Sequence, residues 1–236
     1  MTRFDSTHWS IVLRARGSDN DARLALDHLC RTYRPPVMAY IRSRGYNSDA
    51  AEDLAQSFFA RFLEDAYHVT AEPSRGRFRA FLLTALKRFL INSDAEAHAQ
   101  KRGGGVHIDR LDDSDAHSIG SDTDGPERAF ERSWAVTVLD GAMRRLRAEA
   151  DSAGKRDMFD QLREFLTEAP DESDYERAAD ALHLRRNTLA VAVHRLRNRL
   201  RALVREELQQ TTAGREDLES ELRMLRATLA NVMAAE

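Results

Sequence analysis

The chain has 236 residues, with 36 Lys plus Arg against 39 Asp plus Glu for a formal net charge of −3; 42% of it is apolar and 32% charged, the balance and length of one or two globular domains. No run of about 18 apolar residues occurs, which excludes a membrane-spanning helix, and Met1-Thr2-Arg3-Phe4-Asp5 lacks the apolar core of a secretory signal, so the cytoplasm is the expected compartment. The single cysteine, Cys30, excludes a disulfide framework and a cysteine-built zinc site.

The near-neutral total hides an uneven distribution. Residues 1–104 carry 16 basic and 12 acidic residues, 105–131 carry 2 and 8, 132–210 carry 15 and 14, and 211–236 carry 3 and 5. Between positions 185 and 205 stand seven arginines (185, 186, 195, 197, 199, 201 and 205) and no acid. Local clusters, rather than totals, set the field that a polyanion meets.

In chain order, Leu26, Leu29, Cys30 and Tyr33 form a helical stripe that Pro35-Pro36 is expected to end or kink. Pro36 can then open a helix through Val37, Tyr40 and Ile41, closed by Gly45. Over 50–66, Ala50, Ala51, Leu54, Ala55, Phe58, Phe59, Phe62 and Leu63 sweep one apolar arc at 100° per residue, leaving Asp53, Gln56, Ser57, Ala60, Arg61 and Glu64 outside it. A further helix over about 78–92 points Phe78, Phe81, Leu82, Leu86 and Phe89 or Leu90 inward. No segment shows sustained period-two alternation, so the fold class is all-α.

Residues 103–131, opened by Gly103-Gly104-Gly105 and rich in Asp, Ser and Gly, read as a flexible acidic linker. The triple glycine has no Lys-Ser or Lys-Thr at phosphate-loop spacing. The expected organisation is a helical domain over 1–102, the linker over 103–131, a second helical domain over 132–210 and a helical extension over 211–236.

In the second domain, a short helix over 175–182 has Ala178, Ala179 and Leu182 inward, Leu184 plugs a turn, and Asn187 or Thr188 can cap a second helix. That helix buries Leu189, Val193, Leu196, Leu200 and Leu203 and carries arginines outside. Helix, tight turn and basic helix make a helix-turn-helix pattern suited to the major groove and to phosphates; an ordinary helical hairpin with a solvated face remains the alternative. In the extension, Leu218, Leu222, Leu225 and Leu229 recur at four, three and four. This seam is short for an independent coiled coil, and it is expected to pack on the second domain, with a partner-docking or autoinhibitory helix as the alternative.

Two sets of residues, in order, resemble one family. Glu176, Ala179, Leu182, Leu184, Thr188 and His194-Arg195-Leu196-Arg197 are similar to region four of the extracytoplasmic-function (ECF) bacterial sigma factors, and Glu52-Asp53-Leu54-Ala55-Gln56-Ser57-Phe58-Phe59 to their region-two acidic helix. Arg79-Ala80-Phe81-Leu82 resembles their Arg-x-Trp-Leu segment, with Phe for Trp. Phe4, Thr7, Trp9 and Val12, together with Lys101-Arg102-Gly103-Gly104, resemble a subgroup with a double Phe and a C-terminal extension.

The resemblance implies an RNA polymerase sigma factor that binds core polymerase, directs promoter recognition and starts transcription, without catalytic residues, metal or cofactor of its own. It places Glu52, Asp53, Gln56 and Ser57 against the basic clamp helices of the beta-prime subunit. It places Arg75, Arg77, Arg79, Lys87 and Arg88 near the single-stranded minus-ten element, where Phe78 or Phe81 can stack a base; Lys101 and Arg102 hold backbone nearby. Arg185, Arg186, Asn187, Thr188, Arg195 and Arg199 fall at the minus-thirty-five element. Ala50 stands where relatives usually carry Asp, and Ser57 where they often carry Glu, so Ser57 is a candidate phosphosite and a Ser/Thr kinase or an anti-sigma protein a candidate partner. Ala190-Val191-Ala192 stands where Lys or Arg is frequent, which shifts the expected readout toward phosphate positioning and DNA shape.

The eight histidines include no His-Glu-x-x-His pair, and no nucleophile elbow or dinucleotide fingerprint occurs, so no enzyme activity is expected. Two other classes remain: a stand-alone helix-turn-helix regulator, which would bind duplex DNA tightly without polymerase, and a helical protein-interaction adaptor, which would show no salt-dependent DNA binding.

Overall fold

The computed structural model describes residues 20–68, 78–103, 125–168, 170–212 and 214–233. All regular structure among these residues is helical: α1 (Asn20–Ser43), α2 (Ser48–His68), α3 (Phe78–Gly103), α4 (Pro126–Ser152), α5 (Arg156–Leu162), a short 3₁₀ turn (Glu164–Leu166), α6 (Glu172–Ala181), α7 (Arg186–Gln209) and α8 (Arg215–Met233). The chain divides into two units. One comprises residues 1–137 and 209–236, the other 138–208.

The first unit is built on α1, α2 and α3, with the opening twelve residues of α4 and the whole of α8. α1 continues through Pro35 and Pro36 instead of ending there. Leu29 and Tyr33 before the prolines, and Val37, Tyr40 and Ile41 after them, are all buried. Apolar burial on both sides offsets the backbone bonds that two prolines forfeit. Gly45, at φ +91, closes the helix by donating to the Arg42 carbonyl at 2.9 Å. Asn47 then starts α2: its side-chain oxygen accepts from the Ala50 amide at 2.9 Å.

Of the apolar arc on α2, Ala51, Ala55 and Phe58 are buried, while Ala50, Leu54, Phe59 and Phe62 are half-buried. They meet α3 through aromatic contacts, with the Phe58 and Phe89 ring centroids 5.6 Å apart. Phe78 is in the core, edge-on to Tyr33 at 4.9 Å. α3 buries Leu82, Leu86 and Leu90 along the same face.

Two further expectations are corrected in this unit. Residues 126–131, assigned to the linker, form the first turns of α4, where Phe130 is buried; residues 104–124 of that segment lie outside the described residues. The leucine seam of α8 belongs to the first unit, not to the helix-turn-helix unit on which it was expected to pack. Leu218, Leu222 and Leu225 are buried there, and so is Glu221 between them. The seam alone does not say which apolar surface it covers.

In the second unit the last half of α4 buries Val138, Ala142, Leu146 and Ala150, at steps of four. Gly154 (φ +66) and Lys155 end that helix in a Schellman turn, with the Lys155 amide bonded to the Ala150 carbonyl at 2.8 Å. α6 opens on a capping box in which Asp171 accepts from the Asp174 amide at 2.8 Å and Asp174 accepts from the Asp171 amide at 2.9 Å. Leu162, Ala178, Ala179, Leu189 and Val193 make the core, with Phe165, Tyr175, Leu184 and Leu196 packed against it. Small residues at 178 and 179 let α6 and α7 approach closely.

Candidate functional site

Two surfaces carry the residues singled out by the sequence. The first is the outward side of α2. Asp49, Asp53 and Ser57 follow at steps of four, so they fall on one exposed stripe about 12 Å long. Gln56 is exposed beside them. Glu52 is half-buried and engaged by Arg34 of α1 in an ion pair. Arg42 of α1 also donates to the Ser48 hydroxyl at 2.8 Å. The polar side of α2 is therefore fixed at its base by α1 and presents Asp53, Gln56 and Ser57 outward.

On α3, the expected set separates. Arg88 is exposed, and Lys87 is held by Glu127 at 2.6 Å. That contact lifts the Lys87 ammonium above its ordinary range and lowers the Glu127 carboxyl. Phe81, 41% exposed, is the outward aromatic, its ring centroid 6.0 Å from that of Phe62; Phe78 is spent on packing. Arg75 and Arg77 lie outside the described residues, as do the side chains of Lys101 and Arg102.

Arg79 does not sit where a phosphate contact requires. It is 6% exposed and donates through Nε and Nη2 to the two carboxylate oxygens of Glu221, both at 3.1 Å. Its Nη1 donates to Glu131 at 3.1 Å, and its guanidinium lies 4.4 Å from the centroid of the Trp134 ring. Three partners from α4 and α8 thus saturate one cation. Tyr33 shares this buried region, and burial pushes its hydroxyl well above the ordinary tyrosine range. Sequence reasoning missed Glu131, Trp134 and Glu221; an acid inside the leucine seam, at Glu221, was the available signal.

The second surface is the outer face of α7. The helix begins at Arg186, so Asn187 and Thr188 lie in its first turn rather than at its cap. Arg185, Asn187, Thr188 and Arg195 are all exposed. Arg186 is exposed too and paired with Glu172 of α6 at 2.7 Å. Arg199 turns toward α4: Glu149 accepts from it at 2.6 and 2.8 Å and Glu206 at 3.0 Å. These bonds raise the guanidinium and lower the Glu149 carboxyl, while Arg145 and then Arg199 lower that of Glu206, so in this arrangement Arg199 is engaged in bracing α7 against α4.

Arg197 is likewise structural. It donates to the Phe165 carbonyl at 2.8 Å and the Glu168 carbonyl at 2.9 Å, securing the segment before α6. The turn between α6 and α7 is held by the Leu184 amide on the Ala179 carbonyl at 2.9 Å, with His183 at φ 51. A left-handed non-glycine residue at this point is strained and is kept there by the packing of Leu182 and Leu184 on either side.

No described helix is long and apolar enough to cross a membrane. No curated protein and no solved structure matches the chain. Residues 29–96, which span most of α1, all of α2 and most of α3, match the family model for sigma-70 region 2. The all-helical architecture agrees with that match, and the acidic stripe on α2 lies inside it. Residues 29–96 are thus similar to sigma-70 region 2, and the match supports an RNA polymerase sigma factor role in transcription initiation.

Proposed function

We propose that this chain is an ECF-type sigma factor that acts in the cytoplasm, binding core RNA polymerase through α2 and directing it to promoters. The observation that carries the reading is the exposed Asp49, Asp53 and Ser57 stripe, with Gln56, inside the segment that matches sigma-70 region 2. A row of carboxylates is complementary to the basic clamp helices of the beta-prime subunit, and such complementarity sets orientation and association rate. Asp53 and Gln56 make the outward contacts, and Glu52 reaches the same partner from its Arg34-braced position.

Promoter DNA meets two surfaces. Arg75, Arg77, Lys87 and Arg88 track the backbone of the opened minus-ten element, with Phe81 as the stacking platform. The helix-turn-helix of residues 172–209 takes the minus-thirty-five duplex through Arg185, Arg186, Asn187, Thr188 and Arg195. The chain supplies no chemistry, because the polymerase holds the active site.

Ser57 is the gate in this reading. It extends the acidic stripe by one turn at a position where charge is missing, as it also is at Ala50. Phosphorylation adds about −1.5 to −2 charges there, so a Ser/Thr kinase is the regulatory partner that this surface favours over an anti-sigma protein.

The test is co-purification of the full chain with core polymerase, followed by run-off transcription on genomic fragments. Stable assembly and discrete start sites are expected for the wild type, loss of both for Asp53→Lys, and tighter assembly for Ser57→Glu than for Ser57→Ala. Tight, specific duplex binding without core polymerase would instead identify a stand-alone regulator. Equal assembly of the two Ser57 variants would remove the phosphorylation gate and leave the sigma-factor reading standing.

A further inference from the structure

On the outer face of α7, the place between Asn187 and Arg195 has no polar side chain to read a base. Val191 occupies that place and is 50% exposed, one of four large hydrophobic side chains exposed among the described residues. Its neighbours on the same face are Asn187 one turn earlier and Arg195 one turn later, each within about 40° on the helix. Both are exposed, and neither makes a side-chain hydrogen bond or ion pair among the described residues. His194 and Asn198, also exposed, bond to each other at 2.9 Å on the flank. Ala190 and Ala192 bracket Val191 with methyl groups only, so no long side chain keeps the helix axis away from a facing surface.

We propose that Val191 is a specificity-determining residue that reads the C5-methyl group of thymine in the major groove. The inference rests on the reading of α6 and α7 as a promoter-binding helix-turn-helix. In the major groove the thymine methyl is the apolar feature among base edges that otherwise show donors and acceptors. A valine on a helix is held in essentially one χ1 rotamer, so its two methyls present a fixed apolar surface without loss of side-chain freedom on binding. Asn187 and Arg195, one turn to either side, supply the polar and cationic contacts that set the helix in register. Sequence preference at the centre of the upstream element then comes from apolar contact, in place of the Lys or Arg absent from Ala190-Val191-Ala192.

The experiment uses the full chain assembled with core polymerase. Promoter duplexes are first selected by this holoenzyme from a library randomised upstream, and each selected thymine is then replaced singly by deoxyuridine, which removes only the methyl. One replacement is expected to weaken binding about fourfold, the effect of losing one buried methyl group, and Val191→Ala is expected to abolish that sensitivity while still binding the deoxyuridine duplex as the wild type does. Indifference of the wild type to every replacement, or unchanged sensitivity in Val191→Ala, overturns the proposal. Tighter binding of 5-methylcytosine than of thymine at the same position overturns the assignment to thymine. If Val191→Ala instead weakens assembly with core polymerase, the residue belongs to a protein interface and the proposal falls. If Arg195→Ala also leaves upstream affinity and its salt dependence unchanged, the failure lies in the helix-turn-helix reading itself.

Discussion

Glu221→Ala should be strongly destabilising, because this acid inside the leucine seam of α8 is buried against a cation. Glu221 is 3% exposed and accepts two bonds, each 3.1 Å, from Arg79, itself 6% exposed. Removing one partner of a buried pair leaves an uncompensated charge and costs roughly 3–5 kcal/mol. Here Glu131 at 3.1 Å and the Trp134 ring at 4.4 Å still hold the guanidinium. The expected loss is therefore near the lower end, about 3 kcal/mol. That corresponds to roughly two decades in the unfolding constant.

Urea titration followed by Trp134 emission, in a Trp9→Phe background, reads this locally because the ring stacks on Arg79. It also avoids treating two units as one cooperative transition. An apolar double replacement, Arg79→Met with Glu221→Leu, removes the charge pair rather than orphaning it, and should return to within about 1 kcal/mol of the wild type. Glu131, one-third exposed, can then be hydrated. A loss below about 1 kcal/mol for Glu221→Ala, or a double variant no better than the single, would refute the argument that Arg79 is a buried charge held by α8.

Arg197→Ala should destabilise the second unit by about 1.5–3 kcal/mol, because it strips charged donors from two carbonyls; thermal melting followed by circular dichroism measures it. His183→Gly should be neutral or stabilising by up to about 1 kcal/mol, since glycine adopts φ 51 without the steric penalty, and the same melts decide the sign. Arg195→Ala should weaken promoter binding uniformly across sequences and flatten the salt slope by about one contact, whereas a change in sequence preference contradicts a phosphate role. Glu149 and Glu206 are held below their ordinary value near 4.5 by Arg199 and Arg145. Their contribution to the second unit is thus present above that value and lost as pH falls through the lowered one. Denaturation midpoints measured from pH 6 to pH 3 should drop in the wild type and drop less in Arg199→Met.

Features that depend on near neighbours in the chain were legible without the fold. Helical periodicity is a repeat over three or four residues, so the arc of Ala51, Ala55 and Phe58, the stripe of Leu189, Val193 and Leu200, and the seam of Leu218, Leu222 and Leu225 were all legible, and all are buried. So was the outward placement of Asp53, Gln56 and Ser57, because a polar arc is the complement of an apolar one. The identity of partners emerges only from packing. Arg79 and Glu221 lie 142 residues apart, and an arginine that meets a phosphate looks the same in sequence as one enclosed by two carboxylates and an indole. Phe78 and Phe81 both fit the inward stripe of α3, yet it is Phe78 that is buried, edge-on to Tyr33, while Phe81 is exposed. Two prolines read as an end or a kink, and burial on both sides carries the helix through them. Local pattern fixes which face of each helix is apolar, but only packing, summed over distant segments, fixes what that face is set against.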